Sequence, residues 1–163
     1  MADRVVVGIG DLAVSGSAEA LLVTHALGSC VAVCVFDPAV RVAAMLHFLL
    51  PDSRINLERA RRQPCAFADT GIALLLERVS RAGADARRAD IKLVGGAEIG
   101  EPAGGGGILR IGSRNVRAAR EVLGQAGLRV KAEDLGGTSA RTVRLRAADG
   151  ALEIFNGREI RQL

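Results

Sequence analysis

The sequence contains no tryptophan, no tyrosine and only four phenylalanines among its 163 residues. That scarcity argues against a single-stranded nucleic-acid binder, which stacks bases on aromatic side chains. Lys and Arg exceed Asp and Glu by 22 to 18, for a net charge of +4. The arginines are nevertheless scattered, apart from pairs such as Arg61-Arg62 and Arg87-Arg88. Without a continuous basic stripe, the charge reads as solvated surface that also favours docking to an acidic protein face. Cysteines number three, an odd count, and the opening MADRVVVGIG carries Asp3 and too short an apolar run for a secretory leader. Free thiols in a reducing cytoplasm are therefore expected. No uninterrupted apolar stretch reaches the roughly 18 residues of a membrane span. Glycine-rich stretches are present, but no GxGxxG or GxxxxGK[ST] pattern follows Gly95-Gly96-Ala97, and Gly104 to Gly107 is a plain glycine run. These read as a close-packed turn and a loose loop, and no cofactor is expected.

What is present is a globular composition, 49% apolar and 25% charged, in which Ala, Val, Leu and Ile supply the core. Residues 1–163 read as one domain, long enough to bury a substantial interior. Strands are expected at Arg4 to Ile9, Leu21 to Thr24, Ile91 to Val94 and Leu128 to Leu135. A terminal hairpin, Thr142 to Arg146 and Ala151 to Phe155, turns at Asp149-Gly150. Asp52 to Pro64 reads as a polar loop with a short helical turn. Helical spacing predicts two main helices, Gly71 to Arg81, capped by Asp69 or a neighbour, and Ser113 to Gln125. The resulting fold class is α+β, a layered α/β sandwich with a mostly antiparallel or mixed sheet of seven or eight strands.

The chemistry concentrates between Leu21 and Leu50, which holds Cys30 and both histidines, His25 and His47. Apolar runs from Ser29 to Phe36 and from Val42 to Leu50 flank Asp37-Pro38, the signature of two strands joined by a short turn. Pairing Phe36 with Arg41 across a four-residue loop places Cys30 directly opposite His47, on the same face. A neighbouring imidazolium would favour the thiolate, and histidine can protonate a leaving group and later activate water. Gly28 and Ser29 remove bulk before Cys30, and backbone N–H groups there are candidates for an oxyanion hole. Taken from the residues alone, a small core side chain is the ordinary reading of Cys30. His25 is a second candidate base, at a strand end where exposure is expected. Cys34 reads as a small apolar residue beneath the site, Cys65 as a loop or helix-edge thiol, and Thr24 as an ordinary strand threonine. The spacing lacks a CxxC or HxxxH pair, so no metal site is expected.

Several segments together resemble the CheD family of chemoreceptor glutamine deamidases. They are Thr24, Leu27 to Cys34 (LGSCVAVC), Asp37-Pro38, His47 to Pro51 (HFLLP), Ala68-Asp69-Thr70, Lys92 to Ala97 (KLVGGA), Ile111 to Val116 (IGSRNV) and Glu133 to Thr138 (EDLGGT). The resemblance runs in order through nearly the whole chain. It implies a catalytic set of Cys30, His47 and Thr24, with Thr24 orienting His47, and a substrate that is a receptor glutamine converted to glutamate with release of ammonia. It also implies docking to a CheC-type phosphatase, which leaves open a mainly regulatory binding module, while a receptor methylesterase would use the same thiol. Departures are His25-Ala26, where the family commonly has Leu-Gly, Ala140, where glycine is frequent, and the Gly104 to Gly107 run.

Overall fold

The computed structural model describes residues 3–100 and 110–163; the Gly104 to Gly107 run lies outside them. Ten strands form two five-stranded sheets, with helices against one of them. The outer sheet has the order β1-β3-β8-β9-β10, from β1 (Asp3–Val6), β3 (Ala20–Leu27), β8 (Arg141–Arg146), β9 (Leu152–Phe155) and β10 (Ile160–Gln162). The inner sheet has the order β2-β5-β4-β6-β7, from β2 (Asp11–Ser15), β5 (Val42–Phe48), β4 (Val31–Asp37), β6 (Asp90–Gly95) and β7 (Ala132–Leu135). Both sheets are mixed: β1 runs parallel to β3 and β7 parallel to β6. This is the layered α+β architecture expected, with more strands than anticipated.

Burial patterns explain the layering. Along β8 buried and non-buried residues alternate, because one face of the outer sheet meets water. All seven residues of β4, and all seven of β5, are buried, because the inner sheet is covered on both faces. One face, including Val31, Val33, Leu46 and Phe48, packs on α2 (Ala68–Arg81) and α3 (Ile111–Gln125). The opposite face, including Ala32, Cys34, Ala43 and Met45, meets Leu22, Leu27, Val143 and Ile154 of the outer sheet. In α2 the buried positions Ala68, Ile72, Leu75 and Val79 recur at helical spacing. Burying Ile72 and Leu75 contributes roughly 1.5–3 kcal/mol each.

Three segments differ from expectation. The Asp52 to Pro64 segment contains α1 (Leu57–Arg62), capped by the Asn56 side chain on the Arg59 amide. Only Ala60 of α1 is buried, so hydrophobic periodicity carried no signal there. The start of α2 has no side-chain cap; Asp69 instead accepts from the Ser53 amide and hydroxyl, tying the preceding loop down. The Leu128 to Leu135 strand begins only at Ala132, because the Leu128 amide is used to close the end of α3 on Leu123.

Candidate active site

The β4–β5 hairpin carries the candidate thiol and base, in a register two residues away from the expected one. Asp37 pairs with Val42 and Ala32 with His47, so Cys30 precedes β4 and lies diagonal to His47, not opposite it. The cause is Asp37, expected in the loop. Its carboxylate is buried and ion-paired with Arg88 at 2.8 Å, and it also accepts from the Asp85 and Ala39 amides. Those bonds hold Asp37 in the strand and move the loop to Pro38 through Arg41, where Arg41 takes φ 53°. A shift of two preserves face parity, so Cys30 and His47 still share the face turned towards the outer sheet.

His47 is fully buried and reaches across to that sheet, where its Nδ1 lies 2.7 Å from Thr24 Oγ1 on β3. The Thr24 hydroxyl in turn donates to the Val7 carbonyl at 2.6 Å. A hydroxyl has one proton and a carbonyl can only accept, so the network assigns the Nδ1–H tautomer, donating to Thr24. Nε2 is left with its lone pair and no hydrogen-bond partner among the described residues, Cys30 included. Burial lowers the His47 pKa to about 4. Burial likewise pushes the half-buried Cys30 thiol up, opposed by its own backbone N–H. At neutral pH the pair is therefore uncharged, in contrast to the expected imidazolium–thiolate. His47 is a neutral imidazole with one nitrogen able to accept a proton.

The turn at Gly28-Ser29-Cys30 is held from behind by three consecutive carbonyls. Gly28 O accepts from the Ala97 amide at 2.8 Å, and Cys30 O from the Gly96 amide at 2.8 Å. Ser29 O accepts from the Asn115 side chain at 2.9 Å. The Ser29 and Cys30 N–H groups donate to no backbone oxygen among the described residues, so both stay candidates for an oxyanion hole. Gly95 and Gly96 are needed for this approach: a Cβ on Gly95, at φ 120°, would sit 2.2 Å from Cys30 O. The glycine pair is thus a close-packed turn. Gly28 stays half-buried, with Ile99 over its α-carbon.

The remaining sequence candidates fall outside this cluster. His25 is exposed and hydrogen-bonded to Arg4, on a bulge in β3 where the pairing with β8 slips between Thr24 and Leu27. Its neighbour Ala26 adopts φ 55°, a left-handed conformation that favours glycine. Cys34 is buried between the sheets, its thiol pushed up to about 12 by burial. Cys65 lies in the Pro64–Ala66 turn at the edge of α2, as expected, and is buried there. Among the described residues no three His, Cys, Asp or Glu side chains converge as metal ligands. Asn115 is the residue that sequence reasoning overlooked. A polar side chain within the buried stripe Gly112, Val116, Ala119 and Leu123 of α3 was the available signal.

A thiol, an imidazole with one free nitrogen and two backbone amides without a backbone acceptor are groups that a thiol-dependent acyl-transfer hydrolase uses. Comparison with known proteins gives the family. The family model described as CheD chemotactic sensory transduction matches residues 49–156. The chain is 44% identical over 159 residues to the probable chemoreceptor glutamine deamidase CheD 2 of Anaeromyxobacter dehalogenans, covering 98% of each chain. It is 41% identical over 150 residues to the probable chemoreceptor glutamine deamidase CheD of Solibacter usitatus, covering 92% of this chain and 87% of that one. To the chemoreceptor glutamine deamidase CheD of Thermotoga maritima it is 40% identical over 147 residues, covering 90% and 88%. The chain belongs to the CheD family.

Proposed function

We propose that this protein is a cytoplasmic, thiol-dependent glutamine deamidase acting on the cytoplasmic part of chemoreceptors. Cys30 is the nucleophile, His47 the base, Thr24 its orienting partner, and the Ser29 and Cys30 amides the oxyanion donors, on the turn that begins at Gly28. His47 Nε2 takes the thiol proton as sulfur attacks the carboxamide carbon, and the oxyanion turns to the two amides. The proton passes to the amide nitrogen, the C–N bond breaks, and ammonia leaves a thioester. His47 next draws a proton from water as hydroxide adds to the thioester carbon. The C–S bond breaks, the thiol regains its proton, and glutamate is the product. The observation that carries this reading is the Thr24–His47 bond, which commits Nδ1 and leaves Nε2 as a bare base on the Cys30 face.

The test is intact mass of a chemoreceptor cytoplasmic fragment after incubation with the protein or with Cys30→Ala. A gain of about one dalton per site with matching ammonia, absent for the variant, is the expected result for thiol-dependent deamidation. A methyl-esterified fragment losing methanol would point to methylesterase chemistry at the same thiol. An unchanged fragment that nevertheless binds would overturn catalysis in favour of a docking module, for which a CheC-type phosphatase is the partner to try.

A further inference from the structure

Asn115 is wholly buried on α3, and its amide nitrogen donates twice, to Ser29 O at 2.9 Å and to Leu49 O at 3.0 Å. Both partners are acceptors, so the orientation of the amide is fixed by its bonds. Its own oxygen, Oδ1, is buried without a partner among the described residues. A buried acceptor left bare is unfavourable, and an aliphatic residue would fill the same stripe of α3 without one. Stability alone gives no reason for an asparagine here; the two donated bonds do.

Each bond falls next to a reacting group. Ser29 O belongs to the peptide unit whose nitrogen is that of Cys30, and no peptide bond among the described residues is cis. In a trans unit the C=O and N–H point in opposite directions. Holding Ser29 O towards the helix therefore turns the Cys30 N–H away from it. Leu49 lies two residues beyond His47, just past the end of β5. One side chain thus ties the segment bearing the thiol to the segment bearing the base.

Resting on the deamidase reading, we propose that Asn115 is a positioning residue for the reaction. Its grip on Ser29 O aims the Cys30 amide at the tetrahedral oxyanion, and its bond to Leu49 O anchors the side chain so that this aim is held. It touches neither substrate nor reacting atoms.

The experiment compares the wild type with Asn115→Asp, similar in shape but unable to donate when ionised. Ammonia release from a receptor fragment is measured alongside alkylation of Cys30 by iodoacetamide, which displaces iodide at carbon and needs no oxyanion hole. The expected result is kcat lower by about 10²-fold, the scale for losing one oxyanion donor, with KM and the alkylation rate unchanged. Equal turnover overturns the inference, and so does a parallel fall in turnover and alkylation, which would mark general disorder of the Cys30 turn. Should Asn115→Asp not fold by circular dichroism, Asn115→Ala removes the donors without adding charge and carries the same comparison. A wild type that releases no ammonia overturns the deamidase reading and this inference together. An active wild type with an equally active variant overturns this inference alone.

Discussion

Acidification should destabilise this protein well above the pH at which carboxylates titrate, and the cause should be His47. The imidazole is buried, donates Nδ1–H to Thr24, and has a folded pKa of about 4 against 6.5 when free. A depressed histidine pKa means that the unfolded chain binds more protons between those values, so stability is complete above pH 6.5 and falls as pH drops towards 4. The linkage relation gives a loss of about 2 kcal/mol between pH 7.5 and pH 5, and at most roughly 3 kcal/mol at lower pH. With a urea dependence of about 2 kcal/mol per molar, the unfolding midpoint should drop by about 1 M over that interval. His47→Asn keeps a donor for Thr24 but does not titrate. It should therefore be less stable than wild type at pH 7.5, yet lose almost nothing on going to pH 5. Asp37 and Asp134, both lowered in the folded protein, titrate below this window. Equal pH dependence in wild type and variant would refute the assignment of a buried neutral imidazole.

Three further outcomes can be checked. Thr24→Val removes the acceptor for Nδ1–H and the donor for Val7 O; ammonia release should fall by about 10²–10⁴-fold as the tautomer is freed, while Thr24→Ser keeps most of it. Gly95→Ala forces a Cβ to 2.2 Å from Cys30 O; a stability loss of about 2–4 kcal/mol in urea unfolding is expected. Ala26→Gly relieves the left-handed φ of 55° and should raise stability by up to about 1 kcal/mol, or about 2–4 °C in Tm by calorimetry.

Much of the site was legible because parity along a strand survives small errors of register. Misplacing Asp37 by one turn position changed the partner of His47 from Cys30 to Ala32, but not the face on which both point. The role of Asp37 depends on Arg88 and Asp85, some fifty positions away, and nothing local announces those contacts. The two long helices were legible from periodicity, whereas α1 buries one residue and β10 none. The Thr24–His47 contact joins different sheets, and the family resemblance, not spacing, drew attention to Thr24. Asn115 was missed for a related reason: its bonds to Ser29 and Leu49 span 86 and 66 positions.

Thr24 and Val7 belong to the outer-sheet side, Cys30 and His47 to the inner sheet, and Asn115 to the helical layer. The segment from Cys30 to Phe48 is local in sequence, but on its own it presents a thiol and an untethered imidazole. The Thr24–His47 bond needs the outer sheet, and the Asn115–Ser29 bond needs the helical layer, so both are made only when all three layers have closed. A chain caught partway through folding, or one whose sheets have parted, should therefore be chemically silent towards the many glutamines it meets. Under the proposed mechanism, turnover would report that all three layers have closed on one another.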